Sequence, residues 1–182
     1  MQAGGSPHLL LDACCLLNLC ATGRISEILQ SLPQRFEMVE SVMGEVNFVR
    51  RGGGGDDADE LDPIDLQPLV DNGLLNLLHL QGTNEEHSFV DFSADLGDGE
   101  AMTLAVALHR NRPVATDDRK AIRIAREHAI PVIATLEIVR QWSEDVRLSA
   151  HELRQLLIDI RERGRYVPPR THPLRHWWED HM

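Results

Sequence analysis

Apolar residues in this chain fall alternately into short runs and into stripes at helical spacing. His8–Asp12 (HLLLD) is an apolar run ending in an acid, the pattern of a strand buried on both faces. Ala13–Cys20 contains no turn residue and reads as the start of a helix. Ile25, Ile28, Leu29 and Leu32 recur at helical spacing, and Pro33 closes that helix. Phe36–Val39 reads as a second strand, after which Ser41 is expected to cap a helix carrying Val42, Glu45, Val46 and Val49. Leu66–Val70 suggests a helical turn. Leu74–Leu80 (LLNLLHL) suggests a strand, with a short helix as the alternative. Asp98–Arg110 predicts a long helix with Asp98 at its cap, and Arg112–Asp117 a strand. Arg119–Ala129 predicts a helix with Ala121, Ile122, Ala125 and Ala129 on one face, and Pro131–Ala134 the last strand.

Strand and helix alternate, which predicts an α/β fold: three α/β/α layers around a central parallel sheet of about five strands. Four consecutive glycines and an acidic run make Arg51–Asp62 a flexible surface loop within the domain. Ser149 and Glu152 form a capping-box pattern before Leu153, Leu156, Leu157 and Ile160, and Gly164 ends that helix. The expected division is a main domain over residues 1–147 and a C-terminal helix and tail over 148–182. The tail, with His172, His176 and His181 among prolines, reads as loosely packed or disordered, whereas Trp177 and Trp178 are expected to dock on the domain or on a partner, with base stacking as the alternative.

Composition narrows the function. Apolar residues make up 42% of the 182, and charged residues 26%, as in a soluble globular chain. No apolar run reaches the length of a membrane span, and residues 1–7 lack the pattern of a signal peptide. Cys14, Cys15 and Cys20 form no Cys-x-x-Cys pair and read as reduced core residues of a cytoplasmic protein. The net charge of −11 excludes a protein that holds nucleic acid by overall charge. Contact with such a substrate would depend on bound metal and a local basic stripe. Arg119, Arg123 and Arg126 offer one at i, i+4 and i+7, with a solvated surface face as the plainer alternative.

Four acids stand where carboxylate chemistry is expected: Asp12, Glu45, Glu100 and Asp118. Ligands of open α/β sheets bind outside the carboxyl ends of the strands. Asp12 ends the first predicted strand, and Asp117 and Asp118 end the fourth. Glu100 lies in the first turn of a helix, where the dipole favours a negative charge. Gathered carboxylates suit Mg²⁺ or Mn²⁺, hard ions that activate water and neutralise a phosphodiester during in-line attack. Taken singly, Asp12, Asp117 and Asp118 each also suit a helix cap.

The ordered segments closely resemble the PIN-domain family of metal-dependent nucleases, including VapC-like toxin ribonucleases. The matching stretches are LLLDACCLLNL, VMGEV, LGDGEAMTLAVALH and VATDDRKAIRIA, followed by IPVIAT, over roughly residues 8–140. The resemblance implies a PIN-like fold, with Asp12, Glu45, Glu100 and Asp118 as catalytic acids that bind Mg²⁺ or Mn²⁺. Asp117 competes with Asp118, because the doubled Asp allows either register, and Thr116 becomes a polar support. Cys14 stands where many members carry Ser or Asn. Glu100 in place of Asp resembles a Gly-Glu-Ala subgroup with extra C-terminal helices. The implied function is an endoribonuclease, the toxin of a toxin–antitoxin pair, with an antitoxin protein partner and a homodimeric state. Two alternatives are a catalytically inactive PIN-fold binding or regulatory module and a metal-dependent phosphatase. The phosphatase lacks its usual Asp-x-Asp, since Asp12-Ala13-Cys14 stands there.

Overall fold

The computed structural model of the chain describes residues 7–51 and 60–182. The four glycines and most of the acidic run of the expected loop, residues 52–59, and the first six residues lie outside them. The chain runs β1 (His8–Leu11), α1 (Ala13–Ala21), α2 (Ile25–Ser31), β2 (Arg35–Val39) and α3 (Glu40–Glu45). It continues through β3 (Phe48–Arg50), β4 (Leu61–Pro63), α4 (Gln67–Asp71), β5 (Leu75–Leu78), α5 (Gly82–Ser93) and α6 (Asp98–Arg110). The last third is β6 (Val114–Ala115), α7 (Arg119–Glu127), β7 (Val132–Ile133), α8 (Thr135–Asp145), α9 (Ala150–Glu162) and α10 (Arg175–His181).

Five strands form one parallel sheet in the order β5-β2-β1-β6-β7, with helices packed around it. These are the five strands expected from the apolar runs. β1 lies at the centre, and Leu9, Leu10 and Leu11 are all buried, each contributing about 1.5–3 kcal/mol by leaving water. The chain builds outward from β1 to β2 and β5 on one side, and to β6 and β7 on the other. The strand order therefore reverses between β1 and β6, and the crevice at that switch point is where such sheets bind ligands. Asp12 follows β1 there, and Thr116, Asp117 and Asp118 follow β6.

Several local expectations change. Asp62, expected in the loop, pairs with Val49 in an antiparallel β3–β4 ribbon. That pairing also shortens the helix expected to reach Val49, and α3 ends at Glu45. The α3 cap position is Val39, and the Ser41 hydroxyl instead reaches the Asp98 carbonyl. The α6 cap position is Gly97 rather than Asp98. Helix α7 ends at Glu127, so Ala129 leaves the expected helical face and takes φ +56°. The tail is ordered from Arg175 to His181: α10 buries Trp178, which meets Tyr166 edge to face with centroids 6.3 Å apart. Leu153, Leu156, Leu157 and Ile160 of α9 join the same hydrophobic core as the sheet.

Candidate active site

Asp12 emerges from the most buried strand and stays only 1% exposed. One oxygen accepts from the Ala13 N–H (2.8 Å), which makes Asp12 the N-cap of α1. The other accepts from the Thr116 hydroxyl (2.7 Å) and from the Cys14 thiol (3.4 Å). Thr116 is fully buried and in turn accepts from the Asp118 N–H at 3.2 Å. Burial raises the Asp12 carboxyl above its ordinary range, and the Glu100 carboxylate raises it further, against the lowering effect of the Thr116 hydroxyl.

Glu45 comes in from the end of α3. Its Oε1 accepts from the Gly99 N–H at 2.9 Å, an amide left free in the first turn of α6. Desolvation of its carboxyl, then Glu100, Asp12 and Asp98, hold Glu45 above the usual carboxylate range. Two glycines make this approach feasible. A Cβ at Gly99 would stand 2.5 Å from Glu45 Oε1, and one at Gly97 would stand 2.7 Å from Glu100 Oε2. The Leu-Gly-Asp-Gly turn thus forms a cradle in which two carboxylates lie against the start of one helix, where the helix dipole favours them.

The expected acids therefore divide. Asp12, Glu45 and Glu100 stand within electrostatic reach of one another, with Asp98 beside them. Asp118 caps α7, accepting from the Ala121 N–H at 2.7 Å through one oxygen. Asp117 turns into a polar cluster: it accepts from Asn18 Nδ2 (3.0 Å), from the Thr135 N–H (3.2 Å) and from the Thr135 hydroxyl. Among the described residues, no three His, Cys, Asp or Glu side chains meet as a ready-made metal-holding group. The hard oxygen donors and the glycine cradle nevertheless suit a divalent cation, which would offset the mutual repulsion of these carboxylates.

Other expected features settle plainly. Arg119, Arg123 and Arg126 are exposed on α7, and Arg123 pairs with Glu127 at 2.7 Å. The Arg110 guanidinium grips the buried Glu85 carboxylate with two bonds of 2.8 Å. All three cysteines are free, and burial pushes the Cys20 thiol up to about 12. No described helix is long and apolar enough to cross a membrane. Gly99, Asn18, Thr135 and Tyr166 also shape the site and were missed from sequence. The detectable signals were a glycine placed inside a helix start, where it costs stability, and a Thr opening the helix after a strand.

A family model described as a PIN domain matches residues 8–173 of the chain. No curated protein and no solved structure matches it.

Proposed function

The chain belongs to the PIN-domain family, and on that premise we propose that it is a divalent-metal-dependent ribonuclease that hydrolyses RNA phosphodiester bonds. PIN domains are in general nucleases. The observation that carries the finer reading is that Asp12, Glu45 and Glu100 stand within electrostatic reach of one another beside the switch point of the sheet. Burial and the neighbouring Glu100 carboxylate hold the Asp12 and Glu45 carboxyls above their ordinary range.

Asp12, Glu45 and Glu100 are the residues that would hold Mg²⁺ or Mn²⁺, with the Asp118 oxygen that does not cap α7 completing the set. Such an ion would lower the pKa of a bound water and neutralise charge on the phosphodiester. The chain supplies the orientation. Thr116 fixes the Asp12 carboxylate, and the Gly99 N–H fixes Glu45. Arg119 and Arg126, exposed on the helix that Asp118 opens, are the side chains assigned to RNA phosphates. With a net charge of −11, substrate recruitment rests on these side chains and the ion rather than on the protein's field.

The proposal extends to biology. The chain acts as the toxin of a toxin–antitoxin pair in the cytoplasm, as a homodimer, and its antitoxin places a basic side chain among the acids. Co-purification of the product of a neighbouring small gene tests this part. A second reading, a PIN-fold binding module without catalysis, draws support from the lack of a ready-made metal-holding group among the described residues. Calorimetry of the full chain with Mn²⁺ separates the two. The nuclease reading expects saturable binding that Asp12→Asn weakens at least tenfold in a folded protein. Absence of Mn²⁺ binding by the wild-type chain supports the module instead.

A further inference from the structure

Asp117 is the acid that the doubled Asp-Asp motif leaves ambiguous, and its surroundings are unlike those of Asp12 or Glu45. Its carboxylate lies between α1 and α8. Asn18, 3% exposed, and Thr135, fully buried, both donate to it. Helix α8 begins after Ala134, which has no side-chain oxygen with which to cap it. Asp117 takes that part by accepting the Thr135 N–H at 3.2 Å. The phenol of Tyr166, from the segment after α9, also faces Asp117, and burial, then this carboxylate, raise it above its ordinary range. Tyr166 is itself fixed by its N–H on the Ile160 carbonyl (3.2 Å) and by the Trp178 ring.

The other end of the residue points at the acids. The Asp117 N–H donates to Cys14 Sγ at 3.2 Å, and that sulfur lies 3.4 Å from both Thr116 Oγ1 and Asp12 Oδ2. A carboxylate committed to so many protein donors has little capacity left for a cation. A backbone linked through one sulfur to Thr116 and Asp12 has a direct hold on their orientation. We infer that Asp117 is a positioning residue rather than a metal ligand. It locks the turn after β6 so that Cys14 and Thr116 keep the Asp12 carboxylate in one orientation, and through Tyr166 it couples that turn to the C-terminal segment. The catalytic consequence rests on the nuclease reading; the positioning of Asp12 does not.

The test compares full-length Asp117→Asn, Tyr166→Phe and Asp118→Asn with wild type by three readouts: Mn²⁺ affinity, kcat and KM on RNA, and the rate at which iodoacetamide modifies Cys14 relative to Cys20. For Asp117→Asn the expected result is a kcat at least tenfold lower, with KM and the Mn²⁺ Kd within threefold of wild type. Cys14 modification should rise at least threefold while Cys20 stays unchanged. Tyr166→Phe, the milder change, should move kcat and Cys14 in the same directions. Asp118→Asn should weaken Mn²⁺ binding instead. A tenfold loss of Mn²⁺ affinity in Asp117→Asn would overturn the inference by making it a ligand. Unchanged Cys14 modification in both Asp117→Asn and Tyr166→Phe would overturn it as well. A wild-type chain that neither binds Mn²⁺ nor cleaves RNA sinks the nuclease reading, while the Cys14 rates still decide the positioning.

Discussion

The Asp12 carboxylate accepts from Ala13, Thr116 and Cys14, yet burial and Glu100 keep it above its ordinary range. A raised carboxyl binds its proton more tightly in the folded than in the unfolded chain. Its favourable contribution is thus fully present below the unfolded pKa and is lost as pH rises through the folded one. At neutral pH in EDTA, Asp12→Asn is therefore expected to melt above wild type, by about 2–4 °C for each kcal/mol relieved. The gap should close as the pH falls and Asp12 takes up its proton, which a pH series of melting curves reads directly. Gly99 makes the complementary case. Ala is the better helix former by about 1 kcal/mol, but its methyl would displace the Glu45 carboxylate lying against it. Gly99→Ala should keep or raise the melting temperature while weakening Mn²⁺ binding several-fold in calorimetry. Asp12, Glu100 and Asp118 were visible in sequence because each follows a strand or opens a helix, whereas Glu45 was visible only through the resemblance to the family. Their side-chain directions were not, since those of Asp12 and Glu45 depend on Thr116 and Gly99, far along the chain. Cys14, read as a departure from a Ser or Asn pattern, still reaches Asp12 and Thr116 through its sulfur.

Elements whose apolar residues keep a clean period were legible. β1, β5, β6 and β7 lie within the runs that predicted them and β2 begins one residue before its run, at Arg35, because a buried parallel strand must be apolar on both faces. Helix α5 escaped notice for a physical reason. Its sequence, GTNEEHSFVDFS, buries only Glu85 and Phe92, so no apolar stripe marks it. It is fastened to α6 by the Glu85–Arg110 pair, with Glu85 also accepting from the Gln81 N–H at 2.7 Å. Such a pairing across 25 residues leaves no local trace. Removing one partner of a buried pair strands the other, at about 3–5 kcal/mol. Arg110→Ala should fall at the upper end, because it leaves the Glu85 side chain, 6% exposed, charged and without its counter-charge. Glu85→Ala should cost less, because the Arg110 side chain keeps 18% exposure. Urea denaturation at neutral pH measures both. The Arg110 bond holds the Glu85 carboxyl below its ordinary range, so this contribution is present above the unfolded pKa. It is lost as the pH falls through the folded pKa.

On the scale of the whole molecule, the parallel sheet and its reversal between β1 and β6 bring chain segments about a hundred residues apart to one edge. The order of elements predicted an α/β sheet with acids at strand ends, and the strand order that makes Asp12 and Thr116 neighbours follows from packing alone. The same packing brings α9 into the core, seats Trp178 on the domain as the paired tryptophans suggested, and sets Tyr166 at the back of the site, which the run of prolines and histidines in the tail did not reveal. A chain of net charge −11 that gathers several of its acids at its ligand-binding edge has little means of attracting RNA except through a cation held there and the arginines of α7. The most direct test is RNA cleavage by the purified full chain in Mn²⁺ and in EDTA, run beside Asp12→Asn. Cleavage should require Mn²⁺ and fall at least a hundredfold in the folded Asp12→Asn protein. Cleavage that persists in EDTA, or that Asp12→Asn performs as well as wild type, would contradict the account.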